Sequence, residues 1–354
     1  MRIRQRNILR LLMFVTAVAI VSAACRGEGP RMGGGDYFST YPATSNASLD
    51  VRVQAAIATQ PVLFPIGSLD IDALRAQYDK VMTVLPGLNE SVARVEDRKI
   101  PGPHGEIPIR IYTPEGEGPF PVLLYLHGGG WMLGSVHVYD DFCRSLSHRT
   151  GAVVVSVGYR LVPEYRFPVP LEDCVAALAW TAAHASEIEG DARRIAVAGD
   201  SAGGNLSAAL ALYARDHGGP KLSYQILMFP ATNAAFDTAS YYENAVGYGL
   251  TRVQMQWCWE RYLAEPSDGD NPYAAPLKAR DLKGLPPALI ITAQFDVLRD
   301  DGEAYAARLY QAGVPVRAIR YLDMSHDFIV GLTLLPQARH ALDQIATTLK
   351  DAWK

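Results

Sequence analysis

Cysteine is scarce in this chain: 4 in 354 residues. No Cys-x-x-Cys pair and no His-Glu-x-x-His occurs, so neither a zinc site nor a disulfide-built scaffold is expected. Charge of neither sign dominates, since 33 Lys and Arg face 37 Asp and Glu for a formal net charge of -4. With no basic block beyond the N-terminus, the chain lacks the general attraction for nucleic acid that a polycation has. Internal repeats are absent, and the glycine-rich stretches lack both the Lys-Ser/Thr of a P-loop and the G-x-G-x-x-G spacing of a dinucleotide site. The apolar run Leu11 to Val21 is too short to span a bilayer comfortably. What is present is 49% hydrophobic and 20% charged residues, the balance of a globular chain with a real core. The length suits one domain carrying an elaboration such as a cap.

The N-terminus reads as a targeting segment. Basic "MRIRQRNILR" precedes the apolar run, and Ser22 and Ala24 supply small residues for a signal peptidase. Residues 1–24 are therefore expected to be a signal peptide and the protein to be exported: periplasmic, secreted, or held at the membrane. Cys25, directly after the cleavage site, resembles the lipid-bearing cysteine of a bacterial lipoprotein, although Ser22 stands where such signals usually carry an aliphatic residue. An uncleaved N-terminal anchor is the competing reading. With Cys25 lipidated, Cys143, Cys174 and Cys258 remain, an odd number, so at least one thiol is free. Residues 25–48, rich in Gly, Pro, Ser and Thr, read as a flexible linker.

Residues 49–90 carry helical periodicity, with Ser68 or Asp70 as N-cap candidates, and are expected to form cap helices. From residue 91 to 354 strands and helices alternate. "IPIRIYTP" has period 2, whereas "PVLLYLHGGG", "GAVVVSVGYR" and "RRIAVAGD" are apolar almost throughout, as strands buried on both faces are. The expected fold class is α/β: a mostly parallel central sheet with helices on both faces. Residues 231–280 interrupt the alternation with a helical pattern from Thr251 to Leu263 and the aromatics Tyr241, Tyr242, Tyr248, Trp257 and Trp259. A segment that long and aromatic needs something to bury against, so it reads as part of a cap over a pocket.

Three features carry chemistry. Ser201, in Gly199-Asp200-Ser201-Ala202-Gly203, lies between a buried strand and a helix. A serine on such a turn is held in strain, its small neighbours permit close packing, and the helix N-terminus behind it favours developing negative charge. "LHGGGW", Leu126 to Trp131, ends another buried strand. Its glycines let backbone amides converge on one spot, as an oxyanion requires. The N–H groups of Gly129, Gly130 and Ala202 are the expected donors, with Gly128 shaping the loop and His127 bracing it. Asp296 and His326 each follow a further buried strand, at the sheet edge where open α/β sheets build sites. A serine needs a base and the base an orienting carboxylate, and the chain order Ser, acid, His is that of α/β-hydrolases. Among the rival acids, Asp300 and Asp301 read as N-capping residues, and Asp323 and Asp327 as surface or loop residues. Arg160 and Glu164 read as an ion pair bracing the neighbouring loop. Asp200 receives no task beyond marking the motif.

"HGGGW", "GDSAGGNL", "YRLVPEYRFPVPLED", "ENAVGYGLTR" and "LPPALIITAQFDVLRDDG" occur in the order in which similar segments occur in a known family. From about residue 70 onward the chain resembles the hormone-sensitive-lipase family of α/β-hydrolase carboxylesterases, in its bacterial GDSAG subgroup. The resemblance implies an α/β-hydrolase fold, Ser201 as nucleophile, Asp296 as acid, His326 as base, and a cap of N-terminal helices plus the insertion after Pro230. It also implies short- to medium-chain acyl esters as substrates. Departures from the family pattern are Gly158 where Asp is usual, Asp327 where Gly is usual, and "TAQFD" for "TAEYD". The expected protein is thus a serine carboxylesterase acting on a small-molecule ester through an acyl-enzyme. It needs no cofactor or metal and has no nucleic-acid partner; a lipid anchor at Cys25 and a homodimer are left open. The alternatives are an amidase or lactonase with the same triad, or a non-catalytic binder on the same fold.

Overall fold

The computed structural model describes residues 37–42, 48–59, 70–85, 87–331 and 335–354. In chain order the elements are β1 (Phe38–Tyr41), α1 (Val51–Thr59), α2 (Ile71–Val84), β2 (Arg94–Ile100), β3 (Ile107–Thr113) and β4 (Phe120–Leu126). Then come α3 (Asp140–Thr150), β5 (Val153–Val157), α4 (Val169–Ala183), β6 (Gly190–Asp200), α5 (Ser201–Asp216) and β7 (Tyr224–Met228). The cap insertion holds α6 (Ala239–Glu243) and α7 (Arg252–Tyr262). The chain closes with β8 (Ala288–Phe295), α8 (Arg299–Gln311), β9 (Val316–Ser325), α9 (Phe328–Gly331) and α10 (Pro336–Ala352). The signal-peptide and Cys25 readings fall outside the described residues.

The strands form one sheet of order β1-β9-β8-β7-β6-β4-β5-β3-β2. β3 pairs antiparallel with both β2 and β5, and the other pairings are parallel. β5 reads Val-Val-Val-Ser-Val and is buried throughout, because helices cover both sides of it. Alternation within β4 separates the two cores: Val122, Leu124 and Leu126 pack on one side, Leu123 and Tyr125 on the other.

One boundary differs from the sequence reading. Phe38–Tyr41, inside the stretch read as linker, pairs parallel with β9 from Phe38 against Ala318 to Tyr41 against Tyr321. Tyr37 stacks on Tyr310 and Tyr41 on Tyr321. Four residues on a sheet edge are too few to show periodicity, and the stacking partners lie far along the chain. Helix starts were better marked. Asp70 caps α2 by accepting from the amides of Asp72 and Ala73 at 3.0 and 3.2 Å. Thr251 and Gln254 close a reciprocal capping box on α7, of the kind that contributes about 1 kcal/mol.

Candidate active site

The turn from β6 into α5 is shaped by its glycines. A Cβ on Gly199 would overlap the Gly203 carbonyl oxygen, and one on Gly203 would overlap the carbonyl oxygen of Leu126 at the end of β4. Without side chains there, the turn seats tightly and Ser201 is pushed into left-handed backbone at φ 53°, a conformation L-residues adopt only under constraint. Its Oγ lies 2.9 Å from Nε2 of His326, just past β9. The Nδ1 of His326 lies 2.7 Å from Asp296 Oδ2, just past β8. Asp296 is 1% exposed, and its other oxygen accepts the Leu298 amide at 2.9 Å. Three residues separated by up to 125 positions thus meet in one hydrogen-bonded line at the carboxyl ends of parallel strands.

Burial disfavours the imidazolium of His326, but the carboxylates of Asp296 and Asp327 outweigh it and push its pKa up to about 9. The sequence suggests a surface or loop position for Asp327. It does sit on the turn after β9, but one of its oxygens is 3.6 Å from His326 Nε2. Asp323 is buried and accepts from Gln337 Nε2 at 2.7 Å, so the surface reading of that residue is overturned. Asp300 and Asp301 do not cap α8, whose N-cap is Leu298. Asp300 instead accepts the Ser240 amide at 2.8 Å, reaching into the cap insertion. Asp301 is buried beside Tyr241.

The glycine loop faces Ser201 from the end of β4. Gly129 and Gly130 take φ values of 107° and 61° and line the same cavity as Ser201 and His326. The Gly128 amide is committed elsewhere: it donates to Asp200 Oδ1 at 3.0 Å. Asp200 is fully buried. It also accepts from Tyr125 Oη and from Tyr139 Oη at 3.2 Å, and Tyr139 Oη meets Tyr78 Oη of α2 at 3.2 Å. Burial raises the Asp200 pKa to about 7, with the Asp327 charge acting in the same direction. Sequence reasoning left Asp200 without a task because its partners are scattered over three other elements. His127 is buried, its Nδ1 2.8 Å from the Gly128 carbonyl, with its ring stacked on Tyr159. Burial pushes its pKa down to about 4, so it is neutral and holds the loop from below. Trp131 stacks on Tyr262 at 4.2 Å between centroids and meets Trp259 edge-on, which locks the loop to α7 of the cap.

The expected Arg160–Glu164 pair does not form. Arg160 binds buried Asp173 at 2.6 Å, which also accepts the Arg160 amide at 2.9 Å. Glu164 receives both Nη atoms of Arg75 at 2.8 Å, and Arg75 donates on to the carbonyls of Met132 and Val162. Spacing along a loop suggested a local pair; the helices packed beside it supply better-placed partners.

A cavity of about 310 Å³ opens over Ser201. Its walls come from both cap segments: Val53 and Ile57 of α1, Met82 of α2, and Leu250 and Met255 of the insertion. The insertion's aromatics do not line it. Tyr241 and Trp259 are buried, Tyr248 stacks on Phe295, Trp257 lies under Arg261, and Tyr242 is exposed. Cys143, Cys174 and Cys258 are buried free thiols.

A serine hydrogen-bonded to histidine on a strand-to-helix turn, at the carboxyl edge of a mostly parallel sheet, defines the α/β type of hydrolase. A family model described as the alpha/beta hydrolase fold matches residues 123–330, and the chain belongs to that family. It is 41% identical over 293 residues to the carboxylic ester hydrolase LipN of Mycobacterium tuberculosis, covering 80% of this chain and 77% of the relative. It is 38% identical over 323 residues to the carboxylesterase NlhH of the same organism, covering 88% and 99%. The structure of a hyperthermophilic esterase from the archaeon Pyrobaculum calidifontis superposes with a TM-score of 0.82 at 40% identity, covering 86% of this chain and 98% of that one. These likenesses agree with the resemblance to the hormone-sensitive-lipase family, and they make the chain a carboxylic ester hydrolase.

Proposed function

We propose that the protein is a serine carboxylesterase that hydrolyses short- to medium-chain acyl esters through an acyl-enzyme. The observation that carries this reading is His326, whose two ring nitrogens meet Ser201 at 2.9 Å and Asp296 at 2.7 Å. Neutral His326 takes the Ser201 proton as Oγ attacks the ester carbonyl, and Asp296 stabilises the imidazolium so formed. The amides of Gly129, Gly130 and Ala202 hold the developing oxyanion, for which their preorganisation is worth several kcal/mol, roughly 3–4 per donor in comparable sites. His326 then returns the proton to the departing alcohol, and water repeats the sequence on the acyl-enzyme. Asp200 keeps Gly128 in place beneath the oxyanion donors. The apolar walls and a volume of about 310 Å³ favour acyl chains of modest length. Ser201→Ala is expected to abolish labelling by a fluorophosphonate and to lower kcat on 4-nitrophenyl butyrate by several powers of ten. Full activity in that variant would sink the reading.

We infer further that residues 1–24 direct export, to the periplasm, the medium or a lipid anchor at Cys25, on the strength of the basic, apolar and small-residue sequence preceding it. Mass spectrometry of the mature N-terminus distinguishes a lipidated Cys25 from plain cleavage after Ala24 and from an uncleaved chain.

A further inference from the structure

Asp327 has no part in the mechanism above, yet it stands against its most mobile proton. It follows His326 directly and holds a left-handed backbone, φ 60°, that costs most side chains free energy and that Asp and Asn tolerate best. Its carbonyl accepts the amides of Val330 and Gly331 at 3.1 and 2.9 Å, so the turn fixes where the side chain leaves the backbone. Oδ1 is covered, has no hydrogen-bond partner, and lies 3.6 Å from His326 Nε2. That nitrogen faces Ser201, so it is the one that delivers a proton to the departing alcohol. The carboxylate, 38% exposed, therefore borders the space where the alcohol portion of an ester must sit. Among the described residues lining the cavity there is no Lys or Arg, and Tyr78 supplies a phenol to its wall. Asp296 adds negative charge on the Nδ1 side of the same ring, 2.7 Å away.

We propose that Asp327 is a specificity-determining residue that makes the enzyme prefer esters whose alcohol portion carries a cation, and reject those whose alcohol portion carries an anion. This rests on the assignment of Ser201 and His326 as nucleophile and base. The test uses the purified protein and three butanoate esters that differ only in the alcohol: butanoylcholine, its neutral isostere 3,3-dimethylbutyl butanoate, and carboxymethyl butanoate. The wild type is expected to favour the cationic ester over the neutral one by about tenfold in kcat/KM, and the neutral over the anionic by a similar factor, as one charge a few ångströms away in a half-exposed site allows. In Asp327→Asn, and in Asp327→Ser should the first variant fold poorly, both ratios should fall to within about twofold of unity. A wild type without the preference, or a variant that keeps both ratios while all three rates fall together, overturns the proposal and leaves Asp327 a turn residue. Loss of Ser201-dependent hydrolysis of the neutral ester would instead overturn the assignment on which it rests.

Discussion

Gly128 and Asp200 are joined across 72 residues of chain by a 3.0 Å hydrogen bond from the glycine amide to the carboxylate. It ties the loop after β4 to the turn after β6, and through Tyr139 and Tyr78 to helix α2 of the cap. Asp200→Ala would leave the Gly128 N–H and the Tyr125 hydroxyl buried without their acceptor, at roughly 1–3 kcal/mol each. With the Gly129 and Gly130 amides as the proposed oxyanion donors, loosening their loop should appear as a fall in kcat of ten- to a hundredfold with KM little changed. Asp200→Asn keeps an acceptor oxygen and should recover much of the loss. Steady-state kinetics on a single nitrophenyl ester decide it; equal kinetics for wild type and the alanine variant would remove the bracing role.

Gly203→Ala tests the tight seat of the turn. The added methyl has the backbone carbonyl of Leu126 in its way, which no rotamer change relieves. The variant should lose several kcal/mol of stability, since overpacking of this kind costs about 1–3 kcal/mol even where side chains can yield. Thermal denaturation measures it. A melting temperature within a degree or two of wild type would mean that β4 and α5 can separate at no cost.

The pH profile tests the carboxylates around His326. A base works only when neutral, so kcat/KM should rise with pH toward the raised value of about 9. Asp327→Asn removes one of the charges that raise it, so the acid limb should move to lower pH. Stability has the opposite sense. The raised pKa favours the fold below the unfolded value near 6.5, and that contribution is lost as pH climbs through about 9. An acid limb unmoved by the substitution would show that Asp327 does not act on the imidazole.

The partners of Arg160 give a direct test by double-mutant cycle. Asp173 is fully buried and Arg160 is 13% exposed, so Asp173→Ala should cost about 3–5 kcal/mol by stranding the guanidinium. Glu164→Ala, at a site 43% exposed, should cost under about 1 kcal/mol. Coupling is expected between positions 160 and 173 and between 75 and 164. Coupling between 160 and 164 instead would contradict the observed pairing.

Much of the molecule was legible in sequence because the signals are local. β4, β5 and β6 announce themselves as apolar runs since both faces are covered, and Thr251 and Asp70 mark helix starts through hydrogen bonds spanning two or three residues. Ser201, Asp296 and His326, which the structure brings within hydrogen-bond reach, stand out in sequence because each follows a buried strand directly. Asp300, Asp301 and Asp323 are not legible in this way for the opposite reason: a carboxylate looks the same in sequence whether it faces water, caps a helix or lies in the core.

By itself the amino-acid sequence determined the alternation of elements, the parallel sheet and the residues set at its carboxyl edge, because backbone propensity and burial pattern act over a few neighbours. Only the tertiary structure decided that Phe38–Tyr41 closes the sheet, that Arg160 chooses Asp173, that the insertion's aromatics stay out of the cavity lining, and that Asp200 holds Gly128. Each of these depends on groups brought together by packing from distant parts of the chain, where distance and burial, rather than residue type, select the partner.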